Sequence, residues 1–284
     1  MRIDVHTHIF MPEIVERRDR YFAGEPVFKL LYDSPRARLA TAETLIEAMD
    51  RDGVDYSVVF GFPWQSEELA TRHNDYVLEA ASRHAPRLIP MGCVNPLAPA
   101  STIEAERCLA LGAKGLGELA IYANCDTDAA LKRYGEIIEC CRSHKGVLLV
   151  HANEPVGHSY PGKAPLGLDF YYALAGMASD LTLILAHWGG GLCFYELLKK
   201  EAPKVLANVY YDTAASPFLY SPAIYNLMAK ALGPGKILFG SDYPLLLPQR
   251  YFDEMAGTEI TAEETRAITG GSAKRIFGIR DESS

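Results

Sequence analysis

The first ten residues, MRIDVHTHIF, carry two histidines two positions apart, His6 and His8. In an extended strand successive side chains alternate between faces, so Asp4, His6 and His8 share one side and Ile3, Val5, Thr7 and Ile9 the other. The apolar side is expected to meet helices, which leaves two imidazoles pointing inward. Each buried ring needs a partner. Two of them side by side are better explained as metal ligands, because neutral imidazole is the commonest nitrogen donor for Zn²⁺ and similar ions. Three more apolar runs close on the same kind of residue: VLLVHANEP on His151, LTLILAHWGGG on His187 and KILFGSDYP on Asp242. Packing alone would favour Val, Ile or Leu at such ends. His, His, His and Asp at four of them, in a chain with eight histidines, read as a metal site. His73, His84 and His144 fall in helical patterns among charged neighbours and are expected to be solvated. Glu118 closes the run KGLGEL. It is either a further ligand or an acceptor that orients a ligand histidine or a water.

The elements that must position these residues recur steadily. Apolar or β-branched runs occupy 2–8, 54–60, 88–94, 113–119, 147–151, 181–187, 207–212 and 236–242. Segments of helical period lie at 41–52, 67–84, 101–111, 128–144, 169–179, 193–202, 222–232 and 262–277. Ser101 and Glu104 have the spacing of a capping box. Strict alternation of strand and helix implies parallel strands with helices outside. Eight such units in a chain of 284 residues match an α/β (β/α)₈ TIM barrel, with an open doubly wound sheet as the alternative. No linker or compositional shift divides the chain, so one domain over 1–284 is expected. The irregular segments 12–39 and 153–168 follow the first and fifth strands. In a barrel those loops stand on the face where active sites are built.

Composition narrows the function. Twenty-eight Lys and Arg against 36 Asp and Glu give a net charge of −8, and basic runs stop at pairs such as Arg17-Arg18 and Lys199-Lys200. That disfavours nucleic acid as a partner. The longest apolar stretch, 181–186, is far too short to span a bilayer, and the N-terminus lacks the apolar segment of a signal peptide. Six cysteines without CxxC spacing, most of them in apolar segments, fit a reduced compartment. A cytoplasmic location without membrane contact is therefore expected.

Taken together the motifs resemble the amidohydrolase superfamily, in its amidohydrolase-related (amidohydrolase 2) branch. They are His6-Thr7-His8, His151 after the fifth strand, His187-Trp188-Gly189-Gly190, Phe239-Gly240-Ser241-Asp242-Tyr243-Pro244, and a terminal Gly271-Ser272-Ala273-Lys274-Arg275-Ile276-Phe277 in which Ser272 replaces the branch's Asn. The resemblance runs the length of the chain. It implies a TIM barrel of the metallo-dependent hydrolase type and one divalent ion, Zn²⁺ first, held by His6, His8, His151 and Asp242. His187 would lie unligated near the substrate. Three nitrogens and a carboxylate oxygen with one position left for water form a catalytic site. On this reading Asp242 also accepts the proton of the attacking water, and His187 polarises the reacting carbonyl. In the related TatD-like deoxyribonucleases a Glu in this G-E motif binds a second metal. If Glu118 does so here, His187 becomes a ligand too and the site holds two ions.

Loop residues complete the picture. His158 and Tyr160, with Glu154 and Lys163, lie in the loop after the fifth strand. Trp64, Trp188 and Tyr243 follow other strands. Trp188, Tyr243, His158 and Tyr160 are expected to bind substrate, and one arginine among Arg17, Arg18, Arg20, Arg36 and Arg38 could meet a substrate carboxylate. The expected activity is hydrolysis of a small amide, lactone or ester. The alternative on the same site is non-oxidative decarboxylation of an aromatic or unsaturated acid. A phosphoesterase of the TatD type and a catalytically inert binding barrel are weaker readings, and a homodimer rests on analogy with the branch.

Overall fold

The computed structural model describes residues 1–280. The last four positions of the domain expected over 1–284 lie outside the described residues. Eight strands run β1 (Ile3–His8), β2 (Tyr56–Phe60), β3 (Leu88–Pro90), β4 (Gly115–Leu119), β5 (Val147–Val150), β6 (Leu183–Leu185), β7 (Val209–Asp212) and β8 (Ile237–Leu238). All pairings are parallel, in the orders β1-β2-β3 and β4-β5-β6-β7-β8. Backbone bonds join the two groups at both seams. Gly92 N–H donates to Gly115 O at 3.0 Å and Gly117 N–H to Gly92 O at 2.9 Å. At the other seam Val5 N–H reaches Phe239 O at 2.9 Å, Asp242 N–H reaches His6 O at 3.0 Å and His8 N–H reaches Tyr243 O at 2.8 Å. With helices between successive strands, this is the expected TIM barrel.

The lumen is a separate apolar cluster drawn from most strands: Ile3, Val5, Val58, Phe60, Ile89, Leu149, Ile184 and Leu238. Ala273, Ile276 and Phe277 of the helix Ser272–Phe277 close it from below. Val59, Leu148, Leu183 and Val209 face outward into a second cluster, with Leu45, Val77, Ile137 and Leu174 of the helices. Simple alternation therefore fails in β1. Its register shifts between Asp4 and Thr7, an irregularity that resets the facing of the chain. Ile3 and Val5 consequently line the lumen beneath the histidines, against the last helix and not the surrounding ones.

Elsewhere the expected elements hold with shorter strands. The helix Ala42–Asp52 begins at Thr41, whose Oγ1 accepts Thr44 N–H, and ends at Gly53 with φ 69°. Ser101 is the first helical residue of Ser101–Ala110 and not its cap; its Oγ accepts from Arg133 at 3.0 Å. Glu104 instead ties Thr71, Asn74 and Arg107 together. The helix expected over 193–202 is broken into a 3₁₀ turn, Leu192–Leu197, and the short helix Ala202–Val205. Ser272, where the resembled branch has Asn, bonds Pro234 O at 3.2 Å and so ties the last helix to the approach to β8. Among the described residues no helix is long and apolar enough to cross a membrane, and all six cysteines are free.

Candidate metal centre

Three strand-end histidines reach the barrel mouth in the same pose. His6 Nδ1–H donates to Asp212 Oδ2 at 2.8 Å, His8 Nδ1–H to Gly61 O at 3.1 Å, and His187 Nδ1–H to Ala214 O at 2.9 Å. Carbonyl and carboxylate oxygens only accept, so these partners keep the proton on Nδ1 and make Nε2 the nitrogen that can ligate once the ring is neutral. The Nε2 atoms of His6 and His8 lie 3.6 and 3.7 Å from Glu118 Oε2, and 3.6 and 3.5 Å from Asp242 Oδ1. Donors about 2.2 Å from one cation, in tetrahedral directions, are separated by about 3.6 Å, and His6, His8 and Glu118 form one group with ligand atoms close enough together to share an ion. His6 Nε2 is also fully buried with no hydrogen-bond partner. The residues present thus fit a divalent cation, and the chain carries a divalent metal site.

Glu118 faces a second group through its other oxygen. Oε1 lies 2.9 Å from His151 Nδ1 and 3.4 Å from His187 Nε2, while His151 Nε2–H donates to Gly162 O at 3.0 Å, so Nδ1 is the nitrogen of that ring left to ligate. His151 thus forms one candidate ligand group with Glu118 and His187, beside the group of His6, His8 and Glu118.

Backbone detail explains the delivery. A Cβ on Gly117 would stand 2.6 Å from Leu149 Cβ, so only glycine lets β4 come close enough to aim Glu118 inward. His187 and Trp188 adopt left-handed φ of 55° and 59°, and Gly189, Gly190 and Gly191 continue the turn. A Cβ on Gly190 would meet Asn153 O at 2.2 Å. The strained His187 is held by its own N–H on Asp212 Oδ1 at 2.9 Å. Asp242, with φ 60°, is held by its N–H on His6 O. Gly240 brings β8 against β1, since a Cβ there would lie 2.8 Å from His6 Cβ.

The site is strongly anionic. Burial alone would lower His6, but the charges of Glu118 and Asp212 overcome it and raise the group well above the ordinary histidine value. His187 is likewise pulled down by burial yet raised to about 9 by Glu118 and Asp242. Burial pushes both carboxylates up, but the histidines outweigh it. Glu118 falls well below the usual range, and Asp242, with His8, His6 and His187 around it, falls to about 2. Carboxylates held ionised in a buried site call for positive charge.

Several expected contacts are not made. Trp188 is fully buried on the outer side of the barrel, with Nε1–H on Ser216 Oγ at 2.9 Å, because the left-handed turn rotates it away from the mouth. Tyr243 turns outward as well, its hydroxyl bonding Thr44 O at 3.2 Å. Neither is a wall of the site. His158 is exposed, and Tyr160 donates to Glu154 Oε2 at 3.0 Å. Arg18 is spent on Tyr32 O and Ala37 O. His73 is not solvated but 1% exposed; it donates to Ile9 O at 2.7 Å and accepts from Trp64 Nε1–H at 2.8 Å. The sequence reading missed Asp212, though it ends the apolar run of β7 just as the ligand candidates end theirs. It also missed Tyr122, whose ring lies 5.5 Å from that of His151.

The fold recurs in solved enzymes. The chain is 19% identical to a 5-carboxyvanillate decarboxylase from Sphingomonas paucimobilis, with a TM-score of 0.72 over 98% of this chain and 99% of the other. A dihydroxybenzoic acid decarboxylase from Polaromonas sp. JS666, solved with manganese and the inhibitor 2-nitroresorcinol, gives 17%, 0.68, 99% and 98%. A candidate 2-pyrone-4,6-dicarboxylic acid hydrolase from Acinetobacter baumannii, solved with citric acid, gives 15%, 0.62, 98% and 99%. Residues 3–279 match the family model for amidohydrolases, and the chain belongs to that family of enzymes.

Proposed function

We propose that the protein is a metal-dependent hydrolase of a small amide, lactone or ester, with two divalent ions held on either side of Glu118. The observation that carries this reading is the split of one carboxylate, Oε2 toward His6 and His8 and Oε1 toward His151 and His187. His6, His8, Asp242 and Glu118 would hold one ion; His151 through Nδ1, His187 and Glu118 would hold the other. Zn²⁺ suits so nitrogen-rich a donor set, while manganese is the ion bound in the Polaromonas relative. Bound ions would supply Lewis acidity and an activated water near neutral pH. The chain's own groups do the rest. Asp242 is the most exposed of the six, at 16% of its side chain, and is ionised, so it accepts the water's proton and returns it to the leaving group. Tyr122 borders the mouth beside His151.

The solved relatives lean toward a second reading, decarboxylation, since two of the three just named remove CO₂ from aromatic acids. A carboxylate clamp is what that chemistry asks of a site. Hydrolysis draws its support from Asp242, ionised and the most exposed of the donors, which can take a proton from water. One experiment separates the two. Metal-loaded protein is incubated with lactones, esters, amides and hydroxybenzoic acids in H₂¹⁸O and, separately, in D₂O. Hydrolysis places ¹⁸O in a product carboxylate. Release of CO₂ with deuterium on the former carboxyl carbon, and no turnover of the other compounds, would overturn the first reading in favour of the second.

A further inference from the structure

Asp212 lies behind the donors and is fully buried. Its two oxygens accept three hydrogen bonds: His6 Nδ1–H at 2.8 Å on Oδ2, and His187 N–H at 2.9 Å and Ala214 N–H at 3.0 Å on Oδ1. Among the described residues no lysine or arginine pairs with it, although an isolated buried carboxylate is costly. Asp4, the other buried aspartate beside His6, accepts the backbone N–H of His6 at 3.1 Å and of Ser241 at 2.9 Å and does not bond the His6 ring. Of these two aspartates, Asp212 is the one that grips the His6 imidazole.

We propose that Asp212 is the positioning residue that couples the two donor groups, holding His6 and His187 together so that both ions bind tightly. The inference rests on the two-ion reading above. Three features support it. Through Oδ2 it fixes His6 with Nδ1 protonated and Nε2 free, the form in which that orphaned nitrogen can ligate. Through Oδ1 it pins the left-handed backbone of His187, whose φ of 55° costs energy without such a tie. Its third bond, to Ala214 N–H, steadies the carbonyl that His187 Nδ1–H uses. One carboxylate thus governs a ring in the first group and a backbone in the second. Its buried negative charge adds to those of Glu118 and Asp242 and strengthens the pull on cations.

The test is a Co²⁺ titration of metal-free full-length protein, followed by the visible ligand-field bands, in wild type and Asp212→Asn. Asn keeps the shape but brings an NH₂ that can face His6 and disfavours the ligating tautomer. The expected result is a Kd for Co²⁺ raised about 10–100-fold with altered band intensities. If Asp212 served only the fold, the thermal midpoint would fall while Co²⁺ affinity and bands stayed as in wild type, and that outcome would overturn the proposal. Should Asp212→Asn not fold, Asp212→Glu keeps the charge and shifts the oxygens, and an unchanged Kd there overturns it equally. Wild type that binds fewer than two Co²⁺ speaks against the two-ion reading instead; a Kd difference at the remaining ion still decides the role of Asp212 toward His6.

Discussion

Oε1 of Glu118 lies 2.9 Å from Nδ1 of His151, although the two residues end different strands and are 33 positions apart. With Oε1 there, the other oxygen of the carboxylate faces His6 and His8. Glu118→Gln keeps the size and one oxygen but loses the charge and cannot accept on both sides. Turnover is expected to fall at least ~10²-fold, about 3 kcal/mol in the barrier, with loss of at least one bound ion. Steady-state kinetics with metal analysis of the same preparation check this. Full metal content and near wild-type turnover would show Glu118 to be dispensable.

Asp242 is expected to carry the proton. Asp242→Asn retains an oxygen donor but not a base, so turnover should drop ~10²–10⁴-fold, roughly 3–5 kcal/mol, while most of the metal remains. The check is kcat in metal-quantified variant and wild type. An unchanged kcat would move the base elsewhere, with Glu118 next in reach.

Much of this centre is legible in the chain because a polar residue that ends an apolar run is conspicuous. His6, His8, Glu118, His151, His187 and Asp242 all announce themselves that way, and the structure brings all six to one mouth. What is not legible depends on backbone irregularity. The register slip in β1 turns Val5 inward, and the left-handed run from His187 to Gly191 swings Trp188 out. Which oxygen of Glu118 faces which histidine, and that Asp212 grips His6, follow from strand stagger that no periodicity encodes. His73 was misread for another reason: charged neighbours in sequence do not show that its own face of the helix packs on Ile9 and Trp64.

His73 should make stability depend on pH. Burial, the largest influence, lowers it from 6.5 to about 4. The unfolded chain therefore binds more protons between those values, so stability is complete above about pH 6.5 and is lost as pH falls toward 4. The group's share is about 2 kcal/mol between pH 7 and pH 5. Urea unfolding of wild type and His73→Gln at both pH values reads it, and the variant should lose about that much less on acidification. Identical pH slopes would contradict the assignment.

Gly190 tests the left-handed turn. An added methyl would strike Asn153 O at 2.2 Å and strain a φ of 60°. Gly190→Ala is expected to destabilise by ~2 kcal/mol or more. Thermal and urea unfolding measure it; a change within ~0.5 kcal/mol would mean the turn is free to adjust.

The central claim is that Glu118 joins two cation-binding groups, and the metal-to-protein ratio of freshly purified, chelator-free protein tests it most directly. Mass-spectrometric metal analysis against protein concentration is expected to give close to two equivalents of divalent ion per chain, and close to one in Glu118→Gln. A wild-type ratio of one or less after saturation with Zn²⁺ or Mn²⁺ would contradict it.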